Sequence, residues 1–382
     1  MSVTAPLGFV AAGAPVGIKA SGDPDLSLVA TADGRPVAAA GTFTQNLACA
    51  GPVQVSKRHL GVSPQAAAVI LNSGNANCAT GTDVAVAESM CAATAAAIGC
   101  EPTDVLVCST GLIGIPLDAD LVTAGVATLA PQRASDGGAA AARAIMTTDT
   151  VPKEVVVAGD GWTIGGMAKG AAMLAPNMAT MLAVLTTDAA VAGPALQDAL
   201  GAAVRDSFNR IVVDGCTSTN DTVLLLASGL GATPDPAAFQ AALTEACWSL
   251  ASQMAHDAEG HTKVVTVRIN GAASDAEAEL AARKLATSAL VKCSFYGSDP
   301  YWGRVLSDLG TAGVAMDVDA ATIAYDDVVV SVGRAPTGAD AASVAAQPEF
   351  TLACDLGVGD GAYWLVTNDL THAYVDENMG TS

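Results

Sequence analysis

Between Gly166 and Ala189 the chain reads GMAKGAAMLAPNMATMLAVLTTDA, and from Gly170 to Thr187 it carries no charge. Pro176, Asn177 and Thr180 interrupt the apolar residues, so the segment suits neither lipid nor an ordinary core strand. Thr180 places a hydroxyl between Ala179 and Met181. A threonine becomes a useful nucleophile when a base lies beside it, and one such base is its own α-amino group, freed by cutting the preceding peptide bond. That amine has an ordinary pKa of roughly 7.7 to 8.0, which leaves a fraction of it neutral near pH 7. Taken alone, a threonine between apolar runs equally suits a buried strand.

Other chemistries have weaker support. The four histidines, His59, His256, His261 and His372, form no HxxxH spacing. His256 and His261 flank Glu259 but lack an evident third ligand, so no metal is assigned and no Ser-His-Asp arrangement can be nominated. NSGNANCATG, STGLIG and GGMAKGAAM are glycine-rich, yet none matches GxxxxGK[ST] and none sets GxGxxG between a strand and a helix. Turns and close packing are the simpler reading of those glycines.

The totals narrow the class further. A length of 382 residues allows one large domain or two to three ordinary ones. The net charge of −21 would repel a phosphate backbone, and no cluster of Lys and Arg offsets it, which argues against a nucleic-acid partner. Nine scattered cysteines, without a CxxC pair, fit a reduced cytosol better than a disulfide framework. No basic residue precedes Lys19, so a secretory signal is not expected, and proline and asparagine break the longest uncharged window, which argues against a membrane span.

The residues that must position this chemistry read as a mixed α/β chain. TDVAVAESMCAATAAAIG, residues 82–99, predicts a helix with Thr82 or Asp83 at its N-cap and Gly99 after its end. Further helices are expected from Pro194 to about 207, from Pro236 towards Asp257, and over roughly 275–290. KEVVVAGDGWTIGGMA predicts a hairpin turning at Gly159-Asp160-Gly161, and NRIVVDGCTSTNDTVLLLAS, KVVTVRING and TIAYDDVVVSVG carry β-branched runs ended by Asp or Gly. Helices alternate irregularly with hairpins, so layered mixed sheets covered by helices are expected, not a regular parallel array.

Read with its neighbours, KGAAMLAPNMATMLAVLTTDA resembles the nucleophile segment of the ornithine acetyltransferases, the bifunctional glutamate N-acetyltransferases of arginine biosynthesis. CSTGLIG at 108–114, AIMTTDTVPKE at 144–154, DGCTSTNDT at 214–222, HDAEGHTKV at 256–264, DPYWGRV at 299–305 and NDLTHAYVDEN at 368–378 follow in that family's order, so the resemblance spans nearly the whole chain. It implies a self-processing fold of the N-terminal-nucleophile kind. The precursor would cut itself between Ala179 and Thr180, leaving an α chain of residues 1–179 and a β chain of 180–382 that stay together in a heterotetramer.

The resemblance also implies the roles. Thr180 would carry an acetyl group from N2-acetylornithine to glutamate, with its α-amine as base and with the Thr110 hydroxyl and Gly111 N–H as the oxyanion hole. Lys169, Thr147 (or its neighbour Thr148), Glu259, Asn378 and Ser382 would contact substrate. The tail after Asn378 is one residue shorter than the family pattern, which weakens the match at Ser382. Cys216 stands where many relatives carry an acidic residue, and Tyr301 where asparagine is common. No bound metal or cofactor is implied; some relatives also take acetyl from acetyl-CoA, which would use the same nucleophile. The competing readings are a self-cleaving aminopeptidase or amidase, with water as acceptor, and an uncleaved binding protein.

Overall fold

The computed structural model describes residues 2–175 and 181–379; Ala179, Thr180 and Ser382 lie outside the described residues. The chain divides into two compact units, the first made of residues 1–170, 175–209 and 216–254, the second of 171–174, 210–215 and 255–382. This division does not coincide with the proposed covalent boundary after residue 179.

Two sheets form the frame of the first unit. One has four strands in the order Phe9–Ala14, Leu26–Thr31, Ala68–Asn72, Val105–Ser109. The other has six, ordered Gln65–Ala66, Val37–Phe43, Thr222–Ala227, Leu182–Thr187, Thr163–Lys169, Lys153–Ala158. Side chains alternate along a strand, so one strand can serve two layers. Val29, Val69, Leu71 and Leu106 point into a core shared with Met167, Leu182, Val184 and Leu224 of the six-stranded sheet. Their neighbours Leu28, Ile70 and Val107 face the helices Asp83–Ile98 and Ala119–Leu129. Fully burying each large aliphatic side chain is worth about 1.5–3 kcal/mol, so both faces hold these strands in register.

Strands buried on both faces read as short continuous apolar runs, and this is why sequence patterning does not reveal the four-stranded sheet. Elements with local signals are where they are expected. The helix Asp83–Ile98 ends at Gly99 with φ 84°, Pro194 opens Gly193–Arg205, and Asp235 accepts the Ala238 N–H at the start of Pro236–Ala255. The hairpin forms from Lys153–Ala158 and Thr163–Lys169, antiparallel throughout. Among the described residues no helix is long and apolar enough to cross a membrane.

The second unit is built on a seven-stranded mixed sheet in which Val264–Ala272 runs parallel to Glu349–Asp355 and antiparallel to Gly361–Asn368. One expectation fails here. The helix expected over 275–290 is two helices, Asp275–Ala286 and Ala289–Tyr296. The Ser288 hydroxyl accepts the Val291 N–H and so starts a new helix, satisfying a donor that a continuing helix would have paired internally. Mixed sheets layered with helices are the α/β class expected.

Candidate active site

The first unit brings together four of the expected site residues from three separate segments. Thr110 and Gly111 follow directly on the strand Val105–Ser109, Lys169 ends the hairpin strand, and Thr147 lies on the loop between the helix Gly138–Ala144 and the strand Lys153–Ala158. The Lys169 Nζ donates to Thr147 Oγ1 at 2.5 Å and reaches Thr110 Oγ1 at 3.5 Å. Thr147, not the exposed Thr148, is the residue that meets the lysine.

Lys169 is only 5% exposed, and burying an ammonium without a counter-charge would be prohibitive. Its counter-charge is Asp149, which the sequence reading did not nominate. Asp149 Oδ2 lies 3.7 Å from Lys169 Nζ and accepts the Thr147 N–H at 3.0 Å, while Oδ1 accepts from Lys153 Nζ and from the Gly170 N–H, each at 2.7 Å. Burial by itself would raise the Asp149 carboxyl. The charges of Lys169 and Lys153, with hydrogen bonds from Lys153 and Gly170, overcome it and hold the group down to about 2. Lys153 and Lys169 thus share the Asp149 carboxylate. The TTDTVPK run had one local signal for this pair, an Asp and a Lys four residues apart.

The turn after Ser109 is held by a polar brace. Ser109 Oγ donates to Asn72 Oδ1 at 2.5 Å, the Thr110 N–H donates to the Asn72 carbonyl at 3.0 Å, and Asn72 Nδ2 donates to the Asn75 carbonyl at 2.8 Å. Asn220 ties the two sides together, giving its amide hydrogens to Ala76 O at 2.7 Å and Ser109 O at 2.9 Å. Gly111 has φ 134°, and a Cβ there would fall 2.3 Å from the Gly74 carbonyl carbon and 2.4 Å from Asn75 N. Only glycine fits this turn, and it leaves the residue exposed. The glycine-rich NSGNAN run is therefore a brace for its neighbour. The sequence does not show Asn72 and Asn220 as braces because Ser109, which both meet, lies 37 residues from the first and 111 from the second.

In the second unit Glu259 and Asn378 meet. Asn378, the last residue of the helix His372–Asn378, donates through Nδ2 to Glu259 Oε2 at 2.7 Å, and Glu259 is 8% exposed. Thr371 caps that helix by accepting the Tyr374 N–H, and its hydroxyl donates to Gly260 O at 2.6 Å, which fixes the helix next to the glutamate. The Glu259 N–H donates to Ala171 O, and Asp214 accepts the N–H groups of Met173 and Leu174. Asp214 is a further residue that the sequence did not single out. Of the histidines, His256 pairs with Glu349 at 3.2 Å, His261 Nδ1 lies 2.5 Å from Ala258 O, and His59 Nδ1 2.8 Å from Val105 O. Cys216 and Tyr301 are both exposed.

The buried Lys169, held by Thr147 and Asp149, thus stands beside a backbone turn that must stay glycine. The chain belongs to the ArgJ family, whose model matches residues 10–380. It is 48% identical to the arginine biosynthesis bifunctional protein ArgJ of Mycobacterium leprae over 100% of this chain and 95% of that protein. It is 46% identical to the protein of the same name from Thermobifida fusca over the whole of both chains. Among solved structures, an ornithine acetyltransferase complexed with ornithine from Mycobacterium tuberculosis is 46% identical, covering 46% of this chain and 94% of that chain at a TM-score of 0.44. An arginine biosynthesis bifunctional protein ArgJ from Bacillus halodurans is 38% identical over 51% of this chain and 96% of that chain, at a TM-score of 0.48.

Proposed function

We propose that this protein moves the acetyl group of N2-acetyl-L-ornithine to L-glutamate through an acetyl-threonine intermediate on Thr180, after cutting itself between Ala179 and Thr180. Membership of the ArgJ family supports the activity. The observation that carries the site is the meeting of Lys169, Thr147 and Thr110 around the buried Asp149 carboxylate.

In the first reaction Thr180 Oγ attacks the Ala179 carbonyl carbon, the Ala179–Thr180 amide breaks, and the acyl group passes from nitrogen to oxygen. Water then hydrolyses that ester, which leaves a carboxylate on Ala179 and a free α-amine on Thr180. In the second, this amine takes the hydroxyl proton as Oγ attacks the acetyl carbon, and ornithine departs with a proton on its α-nitrogen. The glutamate amine attacks the acetyl ester and regenerates the threonine. Charge developing on the acetyl oxygen is met by the Thr110 hydroxyl and Gly111 N–H, and one such donor is typically worth about 2.7–4 kcal/mol in the transition state.

Donor and acceptor each carry an α-carboxylate, and Lys169 is assigned to it, with Thr147 beside it. Glu259, held by Asn378, is assigned the ammonium end of ornithine, and Ser382 a contact from the tail. Acetyl-CoA is a candidate second acetyl donor through the same threonine. The fragments are expected to form a heterotetramer of two α and two β chains in the cytoplasm. Intact mass and N-terminal sequencing of protein purified from cells test the reading: it requires two chains, the second beginning at Thr180. Incubation with acetylornithine and glutamate must then yield acetylglutamate. Acetate in its place would identify a hydrolase, and one unbroken 37.7 kDa chain an uncleaved protein.

A further inference from the structure

Asp221 is buried, 2% exposed, and stands immediately before the strand Thr222–Ala227, which runs parallel to Leu182–Thr187 with Thr222 opposite Leu182. Met181, just ahead of that ladder, is held at both main-chain groups by two consecutive residues. Its carbonyl accepts the Thr222 N–H at 3.0 Å, and its N–H donates to Asp221 Oδ1 at 2.9 Å. Asp221 itself is fixed, because its carbonyl accepts the Thr44 N–H at 2.9 Å. The preceding residue is Asn220, whose amide braces Ala76 and Ser109 beside the Thr110-Gly111 turn. Residues 220 and 221 thus couple the turn assigned to the oxyanion with the chain that follows position 180.

We propose that Asp221 is the positioning residue for Thr180: its Oδ1 holds the Met181 nitrogen, the atom bonded to the Thr180 carbonyl carbon, and so anchors the chain directly after the nucleophile. This rests on Thr180 being the nucleophile, as proposed above. Nothing in the catalytic cycle passes through Asp221; it acts through the main chain. Burial pushes its carboxyl well above the usual carboxylate range, against the hydrogen bond from Met181, the charge of Lys169 and contacts with Ser218. Its second oxygen and Thr42 Oγ1 are both buried without a hydrogen-bond partner among the described residues, and both residues line one small cavity with Met181, Val204 and Phe208.

The test compares Asp221→Ala with Asp221→Asn in the full-length precursor, following self-cleavage by intact mass and then kcat and KM for acetyl transfer. Asp221→Ala is expected to slow cleavage and lower kcat by about 10- to 100-fold, the scale of a misplaced reacting group, with KM for acetylornithine within about twofold. Asparagine keeps the side chain's shape and an oxygen that can accept the Met181 N–H, so Asp221→Asn should restore both rates to within about threefold. A folded Asp221→Ala protein that cleaves and turns over at the wild-type rate overturns the proposal, as does an Asp221→Asn variant as slow as the alanine one. If the alanine variant does not fold, Asp221→Ser takes its place, with the same slowing of cleavage and loss of kcat expected and wild-type rates again overturning the proposal. A wild-type protein uncut at 179–180 would instead overturn the assignment of Thr180 itself.

Discussion

Replacing Asp149 by asparagine should destabilise the protein by about 3–5 kcal/mol, the usual cost of removing one partner of a buried ion pair. The change keeps the side chain's shape and the acceptor for the Gly170 N–H. It removes the negative charge that faces Lys153, whose side chain is fully buried, and Lys169, whose side chain is 6% exposed. A second figure follows from the lowered pKa of the same carboxyl. A carboxyl held at about 2 in the folded protein, against roughly 3.9 unfolded, is worth about 2–3 kcal/mol at neutral pH. The folded pKa is the depressed one, so this share is complete above about pH 4 and is lost as the pH falls towards 2. The two figures differ because the first includes the cost of leaving the lysines' charges without this carboxylate. The assay is urea unfolding at pH 7 and at pH 3 for wild type, Asp149→Asn, Lys153→Met and the double variant. The single variants should each lose stability at pH 7, the double variant should lose at least about 1 kcal/mol less than their sum, and the acid sensitivity of Asp149→Asn should be reduced. Single costs below about 1 kcal/mol, or strictly additive costs, would refute the argument that this carboxylate neutralises a buried cationic pair.

Lys169→Ala should lower kcat/KM for acetylornithine by about 10- to 150-fold, the worth of a charge-assisted hydrogen bond of roughly 1.5–3 kcal/mol, chiefly through KM; an unchanged KM would remove the lysine from the substrate site. Gly111→Ala should cost about 1–3 kcal/mol of stability from the strained φ alone and about 10²- to 10³-fold in kcat, because the turn must shift away from Gly74; steady-state kinetics on the folded variant read this directly. Thr180→Ala should leave one band on a denaturing gel and no acetyl transfer. In the cleaved wild type the two fragments should co-elute in native size-exclusion chromatography and separate only in denaturant, because Thr163–Lys169 pairs along its length with Leu182–Thr187 across the cut.

What was legible in the sequence and what was not divides along physical lines. Helix ends are set by residues within one turn of each other, so Gly99, Pro194 and the Asp235-Pro236 pair place their helices without reference to the rest of the chain. The hairpin leading to Lys169 is equally local. The break before Ser288 was written in the sequence as a capping serine, and was overlooked because the helical pattern continues on either side. Thr180, Thr110, Gly111, Thr147, Lys169, Glu259 and Asn378 were nominated by the order and content of motifs that no single residue carries.

The motif order by itself determined the family, because membership depends on which side chains stand in which order. Tertiary structure alone decided how a buried lysine is tolerated. Asp149 lies 20 residues from Lys169 along the chain and becomes its counter-charge only when the loop and the hairpin strand pack together. The same is true of the brace. Asn72, Ser109 and Asn220 are ordinary polar residues until three strands bring them within hydrogen-bond distance, and the free energy that makes them do so comes from burying the apolar faces of two sheets, not from the asparagines themselves.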